Sequence, residues 1–75
     1  MQNEFARQLG FDNYNILMLK SEYMRTIGLM DYYLVKNVFD DYILWNNECN
    51  IKSIKYYLSK SKANEYLSWL RLNSN

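Results

Sequence analysis

Only two glycines and no proline occur in the 75 residues, so the chain offers very few positions at which a helix must stop. Apolar residues recur at helical spacing rather than in strict alternation, a pattern typical of amphipathic helices. Hydrophobic residues make up 49% of the chain, which predicts a packed core rather than disorder. These features predict an all-α domain over residues 1–75, with four or five short helices packed around a central third helix.

The two glycines are expected to end the first two helices. Asn3 is predicted to cap a first helix that stops just before Gly10, with this glycine in a left-handed conformation. Asp12 or Asn13 then caps a second helix, for which Gly28 is the stop. The apolar stripe of the second helix is predicted to consist of Ile16, Leu19, Tyr23 and Ile27.

Three further helices are predicted in the rest of the chain. The third begins at residue 30 or 31, ends at residue 46, and is apolar around most of its circumference, as a central helix usually is. After a polar break at residues 46–50, Asn50 is expected to cap a fourth helix and Ser61 a fifth. In the fifth helix, the apolar side chains at helical spacing are Ala63, Tyr66, Leu67 and Leu70.

The main structural alternative is a β-hairpin in the middle of the chain. Residues 42–45 and residues 51–58 are rich in β-forming side chains, and an Asn-Asn turn lies between them. The hairpin would replace the end of the third helix and the whole of the fourth.

A repeated segment raises the question of a DNA-reading motif. EFARQLGFDNY at residues 4–14 and EYMRTIGLMDY at residues 22–32 share glutamate, arginine, glycine and tyrosine at equal places. Started at Gln2, QNEFARQLGFDNYNILMLKS resembles the helix-turn-helix segment of the phage Cro and repressor families, with alanine and glycine at its fifth and ninth places. However, Leu17 and Met18 place apolar side chains on the face that should be polar. We therefore favour two helices that stop at glycines.

Charge separates the two parts of the chain. Residues 1–49 carry four basic and seven acidic side chains, whereas residues 50–75 carry five basic and one acidic. The segment NIKSIKYYLSKSKANEYLSWLRL, residues 50–72, resembles the reading unit of winged-helix bacterial regulators. The resemblance implies DNA contacts in the major groove and on phosphates, with a solvated basic helical hairpin as the alternative. The implied groove contacts are Lys60, Ser61, Lys62 and Asn64, and the implied phosphate contacts are Lys52 and Lys55.

The sequence carries little that favours catalysis or metal binding. It contains no histidine, the side chain best suited to proton transfer near neutral pH. Cys49 is the one cysteine, so it has no partner for an internal disulfide and no companion thiol for a typical zinc site. Asp40 and Asp41 are adjacent and would diverge on a helix. We expect a non-enzymatic protein without catalytic residues, metal or cofactor.

A membrane or secreted location is not expected either. The amino terminus lacks a basic region followed by an apolar run, and charged side chains interrupt the most apolar stretch, residues 29–45. A cytoplasmic protein is predicted. The abundance of lysine, asparagine, isoleucine and tyrosine suits an AT-rich coding source such as a phage or plasmid of a low-GC bacterium, by analogy of composition.

Aromatic residues point to a second mode of function. Eight tyrosines and two tryptophans exceed what a core of this size comfortably hides, and such side chains are enriched at protein interfaces. The expected interface residues are Tyr32, Tyr33, Tyr42, Trp45, Tyr56, Tyr57 and Trp69. Two hypotheses follow. One is a phage- or plasmid-type regulator that binds DNA as a dimer, and the other is a protein-binding inhibitor, adaptor or immunity-like module without DNA contact.

Overall fold

The computed structural model describes residues 1–74 and contains a four-stranded antiparallel sheet with helices on both faces. The strands are adjacent in space in chain order, β1-β2-β3-β4. The chain is therefore α/β, and the all-α prediction is wrong. The predicted domain, residues 1–75, extends one residue beyond the described range. In chain order the elements are α1 (Gln2–Gln8), α2 (Tyr14–Lys20), β1 (Glu22–Ile27), β2 (Met30–Lys36), β3 (Tyr42–Asn46), a 3-10 turn (Ile51–Ser53), β4 (Lys55–Tyr57) and α3 (Lys60–Asn73).

The two central strands are buried on both faces. Val35 of β2 pairs with Ile43 of β3, and both side chains lie on the face that α1 and α2 cover. The neighbouring pair, Leu34 and Leu44, lies on the opposite face against α3. A strand covered on both faces has a continuous apolar run instead of an alternating pattern. This burial explains why residues 30–46 resemble an apolar helix in sequence.

The first core is centred on Trp45, which is 1% exposed. The centroid of its ring lies 4.7 Å from that of Tyr33, 5.8 Å from that of Phe5 and 6.0 Å from that of Tyr14. The indole Nε1 donates a hydrogen bond to Ser21 Oγ at 3.0 Å, which satisfies its polar atom. This cluster joins α1 and α2 to the sheet. Its other buried members are Ala6, Leu9, Leu17, Val35 and Ile43.

The second core joins α3 to the opposite face of the sheet. The predicted inward positions Ala63 and Leu67 are confirmed, because they are 0% and 1% exposed and pack with Leu34 and Leu44. The cap of this helix is corrected by two residues. Ser59 is the N-cap, and its Oγ accepts a hydrogen bond from the backbone N–H of Lys62 at 3.3 Å.

Both glycines have left-handed backbone conformations, but only one of them ends a helix. Gly10, with φ +96°, follows α1 as predicted. Gly28, with φ +62°, is instead the first residue of the two-residue turn between β1 and β2, where Ile27 pairs with Met30. A glycine at the first position of such a turn is typical of type II′ geometry. The second copy of the repeat is therefore a hairpin.

The replacement of Gly28 by alanine is expected to lower the free energy of unfolding by about 1 kcal/mol. A Cβ atom built here has no heavy atom within 4 Å, so the cost arises from the positive φ rather than from a clash. Gly28→Asn should cost less, because asparagine is better tolerated than alanine at the positive-φ positions of such turns. Urea unfolding followed by circular dichroism compares the two variants, and equal losses would contradict this conformational explanation.

The second, third and fourth predicted helices need correction. α2 ends at Lys20 instead of Gly28, and residues 30–46 form β2, a turn and β3. The antiparallel pairing of the alternative hairpin is confirmed, since β3 pairs with β4 and Tyr42 lies opposite Tyr57. Its second strand is shorter than predicted, because Ile51–Ser53 form the 3-10 turn and only Lys55–Tyr57 are a strand. Residues 50–72 consequently hold one α-helix rather than two. The helix-turn-helix arrangement implied by the winged-helix resemblance is absent from this segment.

Candidate functional site

A groove opens between the α1–α2 connection and the turn that joins β2 to β3, and we call it the turn groove. Its volume is about 710 Å³, within the range of ~300–1,000 Å³ that binding pockets usually occupy. Its walls come from two different parts of the fold. The helical wall includes Arg7, Phe11, Asp12, Ile16 and Lys20, and the strand wall includes Lys36, Val38, Phe39, Asp41 and Tyr56.

The β2–β3 turn is held in shape by hydrogen bonds to Asn37. The side-chain Oδ1 of this residue accepts from the backbone N–H of Phe39 at 2.9 Å and of Asp41 at 3.0 Å. Its own N–H donates to the carbonyl oxygen of Asp41 at 2.9 Å, and Asp40 takes a positive φ of +67°. The turn leaves Val38 and Phe39 87% and 81% exposed. Two adjacent large apolar side chains are thus presented on an ordered turn.

The helical wall is held by two asparagines in the α1–α2 connection. Asn13 is confirmed as the cap of α2, since its Oδ1 accepts from the backbone N–H of Ile16 at 2.9 Å. The predicted cap of α1 is wrong, because that helix has no side-chain cap and begins after Met1. Asn3 Oδ1 instead accepts from the N–H of Tyr14 at 2.9 Å and so ties α1 to the start of α2.

Tyr56 extends the apolar surface onto the edge strand. It pairs with Ile43, so its side chain lies on the sheet face that α1 and α2 cover. Tyr56 is 60% exposed, so α1 and α2 leave most of its side chain uncovered. With Val38 and Phe39 it gives the strand wall three large exposed apolar side chains.

The structure separates the seven aromatic residues that were predicted as interface contacts. Trp45 is buried, and Tyr33 stacks on it in the first core. Tyr56 and Trp69 are the exposed members, at 60% and 56%. The remaining three, Tyr32, Tyr42 and Tyr57, are partly buried against the second core. The interface role stays a prediction, and Tyr56 and Trp69 are the members that a partner could reach most directly.

Sequence reasoning missed the turn residues Val38 and Phe39. They were assigned to the interior of a third helix, in which apolar side chains are unremarkable. The signal was their position between Asn37 and the two aspartates that follow them. Polar turn-forming residues on both sides of two apolar residues indicate an exposed pair once a hairpin is assumed.

The predicted DNA contacts lie at the surface around the start of α3. Lys60 Nζ lies 2.5 Å from Glu22 Oε2, and Lys62 Nζ lies 3.7 Å from Glu65 Oε2. Both pairs are exposed, so they contribute little to stability. Their DNA-binding role stays a prediction. The other predicted contacts, Lys52, Lys55, Ser61 and Asn64, are exposed as well.

The Cro-like segment forms α1 and α2 with the turn at Gly10. Leu17, on the face that should be polar in a recognition helix, is 0% exposed and belongs to the first core. Leu19, which was predicted to be in the core, is 80% exposed. The face of α2 that contains Leu17 therefore covers the sheet.

Burial raises the pKa of the Cys49 thiol, and the positive charge of the amino terminus lowers it in part. A raised thiol pKa decreases the thiolate fraction and hence the nucleophilicity at neutral pH. Among residues 1–74, no group of three or more histidine, cysteine or acidic side chains is placed to hold a metal ion. Over the same range, no helix combines the length and apolar character that a membrane crossing requires.

Comparison with known proteins does not indicate a family for this chain. No protein-family model, curated protein or solved structure matches it significantly. The geometry of the turn groove is therefore the main basis for a functional proposal.

Proposed function

We propose that the protein is a small protein-binding module, of inhibitor or adaptor type, whose contact surface is the turn groove. The observation that carries the proposal is the exposure of Val38 and Phe39, at 87% and 81%, on the turn held by Asn37. Water-exposed apolar side chains gain free energy when a partner covers them. Because the turn is already ordered, less conformational entropy is lost on binding.

The chemistry of the groove favours a protein partner over a small polar ligand. The oxygen of Asn37 is engaged within the turn, and three aromatic side chains, Phe11, Phe39 and Tyr56, line the groove. The charged side chains of Arg7, Lys20 and Lys36 are exposed beside the apolar ones. An aromatic anchor surrounded by exposed charges is the usual arrangement of a protein interface.

DNA binding through residues 50–72 has less support. A helix-turn-helix unit needs two helices there, and only α3 is α-helical. The net charge of the whole chain is +1, which offers weak attraction to a phosphate backbone.

Phe39→Ser is expected to reduce partner capture about tenfold or more, because a central aromatic anchor often dominates binding energy. The measurement is quantitative affinity capture with tagged protein from a lysate of its native host, treated with nuclease. Leu72→Ser is the matched control, since Leu72 is also 81% exposed but lies on α3. The proposal fails if the wild type retains no protein in a larger amount than Phe39→Ser does. It also fails if Leu72→Ser lowers capture equally.

A further inference from the structure

The helical wall of the turn groove and the turn of residues 36–41 carry opposite net charges beside apolar side chains. On the strand side, Val38 and Phe39 are followed directly by Asp40 and Asp41, of which Asp41 lines the groove. Lys36 is the basic residue of this turn, so its charge is two acidic side chains against one basic. The carboxylate of Asp40 is 86% exposed and has one weak contact, at 3.6 Å, with Lys36 Nζ. The turn is therefore an apolar projection followed by two acidic residues.

The helical wall has the complementary composition. Phe11 and Ile16 supply partly buried apolar surface, and Arg7 and Lys20 supply exposed positive charge. Asp12 also lines this wall, so its charge is two basic side chains against one acidic. A ligand that fits this wall is apolar at its tip and acidic beside it.

We propose that the turn groove binds a second copy of this chain, as a two-fold dimer in which Phe39 of each copy enters the groove of the other. This inference rests on the proposed protein-binding function and names the partner. A two-fold interface must be self-complementary, because the same patch is used by both copies. The turn and the helical wall satisfy this condition, because the exposed Phe39 with its two acidic neighbours lies beside a recess with a net positive charge. Each dimer contains the Phe39 contact twice.

The sheet edges are poorly suited to the competing mode of self-association, which is strand addition. β4 has only three residues and begins with Lys55. β1 has a register irregularity, since Tyr23 pairs with Tyr33 and Arg25 with Tyr32, which leaves Met24 as an extra residue. Short edges, lysines and bulges all disfavour edge-to-edge pairing.

Sedimentation equilibrium of the full chain tests the proposal. We expect the wild type to dimerise, and Phe39→Ser to weaken the dimer about tenfold or more. Leu72→Ser, at an equally exposed position on α3, should leave the dissociation constant unchanged. A wild-type protein that is monomeric at about 1 mM would overturn the proposal. So would a dimer that Phe39→Ser leaves intact.

A charge exchange makes the test specific to the two walls. One variant combines Arg7→Glu with Lys20→Glu, and the other combines Asp40→Lys with Asp41→Lys. In a dimer of either variant with itself, side chains of the same charge would face each other at both contacts. Each variant alone should therefore be monomeric. A mixture of the two should dimerise, because one contact is native and the other has both charges reversed. If the mixture stays monomeric while the wild type dimerises, the proposed arrangement is wrong.

The results separate this inference from the proposed function. A monomeric wild type that still captures a host protein through Phe39 would show that the groove binds a different protein. That result would overturn the dimer proposal and leave the proposed function intact. If Phe39→Ser changes neither capture nor sedimentation, both proposals fail. Circular dichroism melting of every variant identifies loss of folding, and the concentration dependence of the wild type decides the case if a variant is unfolded.

Discussion

Replacement of Trp45 by alanine is expected to lower the free energy of unfolding by about 3–5 kcal/mol. The side chain is 1% exposed and is the common neighbour of Phe5 of α1, Tyr14 of α2 and Tyr33 of β2. Its removal also leaves Ser21 Oγ without the indole donor. Total free energies of unfolding are about 5–15 kcal/mol for folded domains. A loss of this size would therefore remove most of the stability of a domain at the lower end of that range.

Trp69→Ala is the matched control for this prediction. Trp69 is 56% exposed and stacks on Tyr66 at 6.1 Å between ring centroids, so its removal should cost about 1 kcal/mol or less. Chemical denaturation followed by far-ultraviolet circular dichroism measures both variants without relying on tryptophan fluorescence. A similar loss for the two tryptophans would contradict the position of Trp45 at the centre of the first core.

Leu67→Ala is expected to cost about 2–5 kcal/mol, the second large effect. Leu67 is 1% exposed and packs with Leu34, Leu44 and Ala63, which form the contact between α3 and the sheet. Its loss leaves a cavity between the helix and the sheet. Thermal and urea unfolding both measure the change.

The control is Leu72→Ala, five residues further along the same helix. Leu72 is 81% exposed, so its replacement should change the free energy of unfolding by less than about 0.5 kcal/mol. An equal effect at both leucines would mean that α3 does not lie against the sheet by the face containing Leu67. The two control pairs together test the cover on each face of the sheet independently.

The stability and binding predictions separate because they concern different surfaces. Phe39 is 81% exposed and lies outside both core clusters, so Phe39→Ser should weaken binding about tenfold or more with little loss of stability. Trp45→Ala should lower both the stability and the binding affinity, since the first core holds α1 and α2, which form the helical wall.

The candidate site was only partly predictable from the sequence. Tyr56 was among the expected interface residues, and it lies in the turn groove. Phe39, the proposed anchor, was placed inside a helix, because its exposure depends on the hairpin. Trp45 was expected at an interface, and it is the centre of a core. Side-chain type alone could not distinguish these two positions, because aromatic residues suit both.

Local features of this chain were set by residues close together in sequence. Asn13 caps α2 through a backbone N–H three residues away, and Gly10 takes the left-handed conformation just after α1. The inward face of α3 follows from helical spacing, which places Ala63 and Leu67 on one side. These local features do not depend on contacts with distant parts of the fold, so residue type and spacing predict them.

The path of residues 22–57 was decided only by the tertiary structure. In isolation, an apolar run such as Ile43 to Trp45 suits a buried helix and a buried strand equally well. It forms a strand because α1 and α2 cover one face of the sheet and α3 covers the other, from opposite ends of the chain. Since both faces are buried, the alternation that identifies a strand is lost. The turn that exposes Phe39, and with it the turn groove, follows from that arrangement.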